Sequence, residues 1–249
     1  MTHSSMLQPT TWQEKVLSKY YRNRPDWVDG TTQFHQLIRE LVKPGSNILE
    51  IGAGPTNKTT SFLATLGNVT GLDIDPDVTG NEHCKETAVY DGIHIPRETN
   101  SFDVVVSNYV SEHVEHPVEL CREIHRVLRP GGFYIFRTPN LWHYVSIIAK
   151  LTPCWIHNLT ANRLRAIPQG SHNPYPIFHR MNTRRTCRKI LTQAGFNIVL
   201  IKVIEPEPSY GMASRFLFYP FMIWERLLNS SALFENIRAN ILCVASARK

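Results

Sequence analysis

The sequence predicts a doubly wound α/β fold, in which helices cover both faces of a mostly parallel sheet. Apolar segments of strand length alternate with amphipathic segments of helix length through much of the 249 residues, which is the order that βαβ units produce. Residues 102–108 (FDVVVSN) are almost continuously apolar, as expected for a strand buried on both faces of a parallel sheet. We therefore expect a single sheet of seven strands.

The predicted strands are short segments rich in β-branched and other apolar residues. In chain order they are residues 47–51, 69–73, 87–91, 102–108, 133–137, 196–204 and 240–247. The third of these segments has the weakest pattern.

The predicted helices have apolar residues at helical spacing between residues that begin or end a helix. They are residues 12–21, 28–42, 56–66, 117–128 and 183–194. Pro44-Gly45 ends the second helix and Thr56 caps the third. Pro117 opens the fourth helix, and Gly195 ends the fifth.

We expect residues 1–249 to form a single domain with three additions to the α/β core. Residues 1–44 form an N-terminal helical cap, and residues 139–181 and 205–239 interrupt the strand–helix alternation. Long insertions in a regular core often carry substrate contacts. The two insertions are therefore predicted to form helical lids.

Composition indicates a globular protein of the reducing cytoplasm. Lys and Arg number 27 against 21 Asp and Glu, so the net charge is +6, a mild excess that permits an anionic partner without requiring one. The five cysteines are scattered and never spaced C-x-x-C, which argues against a disulfide framework and a zinc knuckle.

Neither a secretory signal nor a transmembrane span is predicted. The longest uncharged apolar run is residues 216–224, and nine residues of helix rise only about 14 Å against a bilayer core of about 30 Å. Peripheral contact with a membrane stays open, as does the choice between a monomer and a homodimer.

The first predicted strand leads into Gly52-Ala53-Gly54, a turn that places bare backbone beside a ligand at a helix N-terminus. A dinucleotide-binding loop has a third glycine three residues later, where this chain has Asn57. Glu50 in the strand would repel a pyrophosphate and attract an ammonium group. A nicotinamide-dependent oxidoreductase is therefore disfavoured.

Asp73 closes the second predicted strand, 21 residues after Gly52. This spacing suits a carboxylate that accepts hydrogen bonds from both hydroxyl groups of a ribose. The alternative is an ordinary loop aspartate. Asp75, next to Pro76, is predicted to start the following turn instead.

Four motifs in order resemble those of class I S-adenosylmethionine-dependent methyltransferases, and especially the small-molecule branch typified by ubiquinone-biosynthesis enzymes. They are ILEIGAGP (48–55), GLDID (71–75), SFDVVVSNYVSEHVEHP (101–117) and EIHRVLRPGGFYIFRTPN (123–140). The resemblance covers about residues 46–140 and implies a Rossmann-like methyltransferase fold with S-adenosylmethionine as cofactor.

The resemblance also implies a role for each matching residue. Glu50 lies near the cofactor's ammonium group, with Gly52, Ala53 and Gly54 beside the methionyl part. Asp73 binds the ribose and Ile74 packs on the adenine. Asp91 binds the adenine amino group beside Gly92, and Asn108 and Tyr109 lie near the sulfonium. The chain departs from the family at residues 76–86, which are too few for the usual full helix.

Methyl transfer by direct in-line displacement needs no metal, and it needs a base only when the acceptor is a poor nucleophile such as a phenol or alcohol. The candidate bases are His113, on the turn after the fourth strand, and His143, in the first insertion. No metal site is expected, since His113 and His116 lack the i,i+4 spacing of helical zinc ligands.

We expect a methyltransferase acting on a small organic or peptide-like acceptor, with oxygen slightly favoured over nitrogen. The alternatives are a small-molecule N-methyltransferase, a tRNA or rRNA methyltransferase and a catalytically silent cofactor-binding protein. No nucleic acid partner is expected, because Ser107-Asn108-Tyr109-Val110 lacks the Pro-Pro-aromatic signature that resembling base-amino methyltransferases use to stack a flipped base.

Overall fold

The computed structural model describes residues 11–144, 175–208 and 214–248. Within them seven strands form one sheet, which confirms the predicted fold class. The strands are β1 (Ser46–Ile51), β2 (Gly67–Asp73), β3 (Glu86–Val89), β4 (Phe102–Asn108), β5 (Leu128–Pro139), β6 (Phe196–Ile204) and β7 (Asn240–Ala247).

The strand order is β3-β2-β1-β4-β5-β7-β6. Neighbouring strands from β3 to β5 are parallel, whereas β5 and β7 are antiparallel. From β1 the chain builds outward through β2 and β3, and it then returns to place β4 on the other side of β1. This reversal creates a switch point between β1 and β4, and ligands of open α/β sheets bind at the carboxyl ends of the strands at such a point.

Six helices are described, together with shorter helical turns. The helices are α1 (Thr11–Leu17), α2 (Gly30–Leu41), α3 (Lys58–Ala64), α4 (Pro117–Val127), α5 (Arg184–Gln193) and α6 (Arg215–Asn229). A turn of π-helix at Ser18–Arg22 continues α1, and turns of 3₁₀-helix lie at Pro76–Gly80, Ser111–His113 and Ala232–Ile237. None of the described helices has the length and apolar character that crossing a membrane requires.

Several element boundaries differ from those predicted, and two of the differences have a clear structural cause. The third helix is capped by Asn57, not Thr56, because the Asn57 side chain accepts the backbone N–H groups of Thr59 and Thr60. The fifth strand begins at Leu128, not at residue 133, because Leu128 pairs with Phe102 before a register shift leads to the Val104–Phe133 pair. Arg129-Pro130-Gly131-Gly132 therefore lies within β5, although its composition is typical of a turn.

The described residues divide into two compact units. The sheet unit consists of residues 33–141, 176–203 and 240–248, and the helical unit consists of residues 11–32, 142–144, 175, 204–208 and 214–239. In the sheet unit, Leu49, Val105 and Phe136 of the sheet are buried in one cluster with Ile124 of α4 and Leu191 of α5. Residues 145–174, most of the first predicted insertion, lie outside the described residues.

Candidate functional site

The loop after β1 is folded against the end of β2. The N–H groups of Gly52 and Ala53 both donate to the Leu72 carbonyl oxygen, at 2.8 and 3.2 Å. Gly52 and Gly54 have φ angles of 79° and 54°, which glycine adopts without the strain that a Cβ atom causes. A Cβ atom at Gly52 would collide with Val110, whereas one at Gly54 would meet no described atom within 4 Å. The backbone at Gly54 therefore has room for a ligand.

Two asparagine side chains fix the shape of this loop, and neither was among the predicted site residues. Asn57 Nδ2 donates to the Ala53 carbonyl oxygen at 2.7 Å. Asn81 Nδ2 donates to the carbonyl oxygens of Gly54 and Ala53, at 2.9 and 3.2 Å. Asn57 occupies the position of the missing third glycine. The sequence could have indicated the role of Asn57, because asparagine is a preferred capping residue at a helix N-terminus.

Glu50 lies at the base of the loop with only 1% of its surface exposed. Its Oε1 atom accepts a long hydrogen bond of 3.4 Å from Asn57 Nδ2, and its Oε2 atom has no hydrogen-bond partner among the described residues. Burial raises the pKa of this carboxyl group to about 7, because desolvation disfavours the ionised form. A buried carboxylate oxygen without a partner fits an ammonium group, as the amino-acid part of S-adenosylmethionine carries.

The Asp73 carboxylate joins the end of β2 to the glycine loop. Its Oδ2 atom accepts the Gly54 N–H at 2.9 Å, and its Oδ1 atom accepts the Asp75 N–H at 3.0 Å. Each carboxylate oxygen has lone-pair capacity for a second donor. The side chain is therefore both part of the loop's framework and able to accept hydroxyl groups.

Ile74 and Gly92 are brought together beside Asp73. Ile74 is an exposed hydrophobic residue, and its Cγ2 atom would lie 3.6 Å from a Cβ atom at Gly92. Asp91, in contrast, is tied to its own turn, because its carboxylate accepts His94 Nδ1–H at 2.6 Å and the N–H groups of Ile93 and His94. The His94 hydrogen bond holds the pKa of Asp91 down at about 2.

Asn108 ends β4 and Tyr109 follows it. Both residues contact Arg137, a partner that the sequence did not reveal. Asn108 Oδ1 accepts Arg137 Nε–H at 2.8 Å, and Asn108 Nδ2 donates to Thr59 Oγ1 at 3.1 Å. The buried Arg137 guanidinium lies 4.5 Å from the ring centroid of Tyr109 and 5.4 Å from that of Phe34. The end of β4 is thus held by β5 and α3 through hydrogen bonds and by ring contacts.

His113 lies on the 3₁₀ turn after β4, with its Nδ1 atom 2.9 Å from the Pro176 carbonyl oxygen. A carbonyl oxygen only accepts hydrogen bonds, so Nδ1 carries the hydrogen and the neutral ring has its lone pair on Nε2. The preceding residue, Glu112, is buried and accepts Thr138 Oγ1–H at 3.1 Å. Its backbone carbonyl accepts the N–H groups of Phe178 and His179, which keeps that segment beside the His113 turn.

His143 belongs to the helical unit, whereas the other predicted site residues belong to the sheet unit. It is buried, with Nε2 3.5 Å from Glu205 Oε2 and its ring centroid 4.2 Å from that of Tyr144. Among the described residues, no group of three or more side chains is arranged to hold a metal ion.

A family model described as a methyltransferase domain matches residues 49–136. A ubiquinone biosynthesis O-methyltransferase of Aromatoleum aromaticum is 25% identical over 189 residues, which are 72% of this chain and 74% of the relative. The corresponding protein of Burkholderia pseudomallei is 26% identical over 182 residues, which cover 70% and 72% of the two chains.

Solved structures resemble most of the fold. One is an S-adenosylmethionine-dependent methyltransferase from Methanosarcina mazei, with a TM-score of 0.57 and 16% identity, covering 85% of this chain and 97% of the other. Another is a phosphoethanolamine N-methyltransferase from Haemonchus contortus bound to S-adenosylhomocysteine. Its TM-score is 0.56 at 16% identity, and the alignment covers 87% of this chain and 52% of the other.

Proposed function

The chain is a class I S-adenosylmethionine-dependent methyltransferase, and from that premise we propose that it methylates a hydroxyl oxygen of a small organic or peptide-like acceptor. The observation that carries the choice of oxygen is His113, whose hydrogen bond to Pro176 leaves the ring's lone pair on Nε2. The name of the O-methyltransferase relatives supports the same choice.

When bound, S-adenosylmethionine supplies a methyl group activated by a sulfonium. We propose that Glu50 holds its ammonium group, because the unpartnered Oε2 atom lies at the base of the glycine loop. Asp73 would accept the ribose hydroxyl groups while keeping the Gly54 N–H in place. Ile74 and Gly92 together offer an apolar surface for the adenine. Asn108 and Tyr109, at the end of β4, would border the reacting groups.

His113 is proposed to act on the acceptor. Its Nε2 atom takes the proton of the acceptor hydroxyl as the oxygen becomes a nucleophile, which matters because a phenol has a pKa near 10 and is mostly protonated at neutral pH. An amine that already has a free lone pair would gain little from such a base. A histidine base at this position therefore favours oxygen as the acceptor atom.

The test is turnover with a panel of phenols, alcohols, carboxylates and amines, measured as S-adenosylhomocysteine formed and as the mass of the methylated product. We expect a phenol or alcohol to be methylated and His113→Gln to reduce that rate by about a hundredfold or more, with cofactor affinity unchanged. His116→Gln is the matched control, since His116 is an exposed histidine three residues later.

Two results would contradict the proposal. One is a product methylated on nitrogen, or on RNA, with no turnover of hydroxyl acceptors. The other is a His113→Gln variant that methylates a phenol as fast as the His116→Gln control.

A further inference from the structure

The outward face of α6 is apolar, although a helix at a protein surface normally has charged residues there. Phe218, Glu225 and Leu228 are buried on its inner face. On the other face, Phe216 is 89% exposed, Ile223 65% and Leu227 46%. Together with Pro220, these residues follow one another at intervals of four, three and four, which places them in a single stripe along the helix. We call this set, residues 216, 220, 223 and 227, the apolar stripe.

One leucine and two amphipathic aromatic side chains flank the apolar stripe. They are Leu217 and Trp224 on one side and Tyr219 on the other, and all three are exposed. Tryptophan and tyrosine beside an apolar surface are typical of proteins at a membrane–water interface. The exposed surface of α6 therefore has an aliphatic and aromatic centre with amphipathic rings at its edges.

The two basic residues of α6 lie on one side of the helix. Its one acid, Glu225, is buried and accepts Tyr21 Oη–H at 2.9 Å and Asn229 Nδ2–H at 2.7 Å. Arg226 is partly buried, donates to the Tyr20 carbonyl oxygen at 2.9 Å and lies 3.5 Å from Glu225 Oε2, so its charge is paired. The Arg215 guanidinium lies 5.9 Å from the centroid of the Trp12 ring. Both arginines thus lie on the Tyr219 side of the helix, next to residues 12–22.

Those neighbouring residues add further cations. Lys15, Lys19 and Arg22 are exposed, and Lys19 Nζ lies 5.0 Å from the ring of Tyr20, whose centroid is 6.1 Å from that of Tyr219. We call the four exposed cations Lys15, Lys19, Arg22 and Arg215 the basic border. Glu14 is the one acid among residues 12–22, so the border is strongly positive.

We propose that the apolar stripe and the basic border dock this protein onto the surface of an anionic lipid bilayer. The stripe would enter the boundary between headgroups and acyl chains, as the apolar face of an interfacial helix does, while the border contacts anionic headgroups. A second copy of the chain is a poorer fit, because antiparallel two-fold packing of the two stripes would place the two positively charged borders side by side. This inference does not depend on which acceptor is methylated.

The test is flotation of the full chain with phosphatidylcholine vesicles and with vesicles that also contain phosphatidylglycerol. We expect binding to the phosphatidylglycerol vesicles, weakened by added salt, and little binding to phosphatidylcholine alone. The double substitution Phe216→Ser/Ile223→Ser should abolish binding, and Arg215→Gln should weaken it by about fivefold.

Val199→Ser is the matched control, because Val199 is 54% exposed on β6 and lies outside α6. Thermal unfolding and S-adenosylmethionine binding are measured for each variant to verify that the variant is folded. If the double variant does not fold, the single substitution Phe216→Ser replaces it. Absence of binding to phosphatidylglycerol vesicles overturns the proposal. So does a wild-type dimer that the double variant converts to a monomer while vesicle binding is unchanged.

Discussion

At the scale of single residues, Glu50 is the clearest case in which the proposed function opposes stability. Its pKa in the folded protein is about 7, above the value near 4.3 of an exposed glutamate. When folding raises the pKa of an acid, the folded state loses stability as the pH rises from the pKa of the unfolded state to that of the folded state. Above the folded-state pKa the whole loss of stability is present. The unliganded protein therefore carries a penalty at neutral and alkaline pH that a bound ammonium group would offset.

We predict that Glu50→Gln stabilises the unliganded protein at about pH 8 by up to about 3 kcal/mol and has little effect near pH 4.5. The reason is that an amide keeps the size of the side chain without the buried charge. Urea unfolding at the two pH values measures the difference, and Glu82→Gln, at an exposed position, is the control.

The Glu50→Gln variant should also bind S-adenosylmethionine at least tenfold more weakly, since it cannot pair with the ammonium group. Unchanged affinity would remove Glu50 from the site.

Asp73→Ala should weaken S-adenosylmethionine binding by about tenfold or more, since hydrogen bonds to charged groups contribute about 1.5–3 kcal/mol each. Calorimetric titration measures the affinity. Asp75→Ala is the control, because the Asp75 side chain accepts the Asp77 N–H within its own turn. This substitution should change the affinity little.

Asp73 has two proposed roles, which are to hold the Gly54 N–H and to accept the ribose hydroxyl groups. A ligand that lacks a ribose hydroxyl group separates these two roles. A 2′-deoxy analogue of S-adenosylhomocysteine should bind less tightly than the parent to the wild type, and this difference should shrink in Asp73→Ala. A difference that persists in the variant would show that Asp73 acts on the loop alone.

At the scale of elements, Asn57 connects α3 to the glycine loop. Its Oδ1 atom accepts two N–H groups of the first turn of α3, while its Nδ2 atom donates to Ala53. Asn57→Ala should therefore destabilise the protein by about 1–2 kcal/mol, measured by urea unfolding. Thr56→Ala, one residue earlier and exposed, should cost less than about 0.5 kcal/mol. Equal effects of the two substitutions would contradict the assignment of Asn57 as the cap.

The sequence predicts the bounds of a strand well where one short segment of the chain determines them. The bounds of β4, β6 and β7 agree with those predicted, because each is a compact apolar run between polar or turn residues. The start of β5 could not be predicted in this way. Pairing of Leu128 with Phe102 extends the strand through a Pro-Gly-Gly segment, and such pairing depends on a residue 26 positions away in the chain.

Within the candidate site, too, residues in local motifs can be predicted from the sequence, whereas contacts between distant segments cannot. Glu50, Asp73 and the two loop glycines belong to contiguous motifs, so the sequence alone makes them candidates for cofactor binding. Arg137 was missed because its relation to Asn108 arises from the register of β4 against β5. A polar residue on a buried strand gives no local signal of which side chain it will meet.

At the scale of the whole molecule, the helical unit could not be inferred from the sequence. It draws on the N-terminal region and on both predicted insertions, and the Tyr21–Glu225 hydrogen bond joins residues 204 positions apart. Amphipathic patterns show that a segment has a buried face, but they do not specify its partner. The mostly parallel sheet of seven strands, in contrast, was predicted from the alternation of apolar strand segments with amphipathic helix segments.

Ligand binding to the folded protein should raise its melting temperature in a pH-dependent way, since a ligand that binds only the folded state stabilises it by mass action. Ionised Glu50 is the form that attracts an ammonium group, and it predominates only above a pH of about 7. We therefore expect S-adenosylhomocysteine to raise the melting temperature more at about pH 8 than at about pH 6. Differential scanning fluorimetry measures the shift. In Glu50→Gln the shift should be small and equal at both pH values, and a shift in the wild type that decreases with pH would contradict this coupling.

The position of β7 has a consequence for synthesis on the ribosome. It is the last of the seven strands in chain order, yet it lies inside the sheet between β5 and β6. Until it emerges, a nascent chain has one edge of β5 unpaired and has β6 without a neighbour in the sheet, and such edges promote association with other chains. The sheet is therefore completed only after β7 has been synthesised, and a chaperone that shields the β5 edge would act until that point.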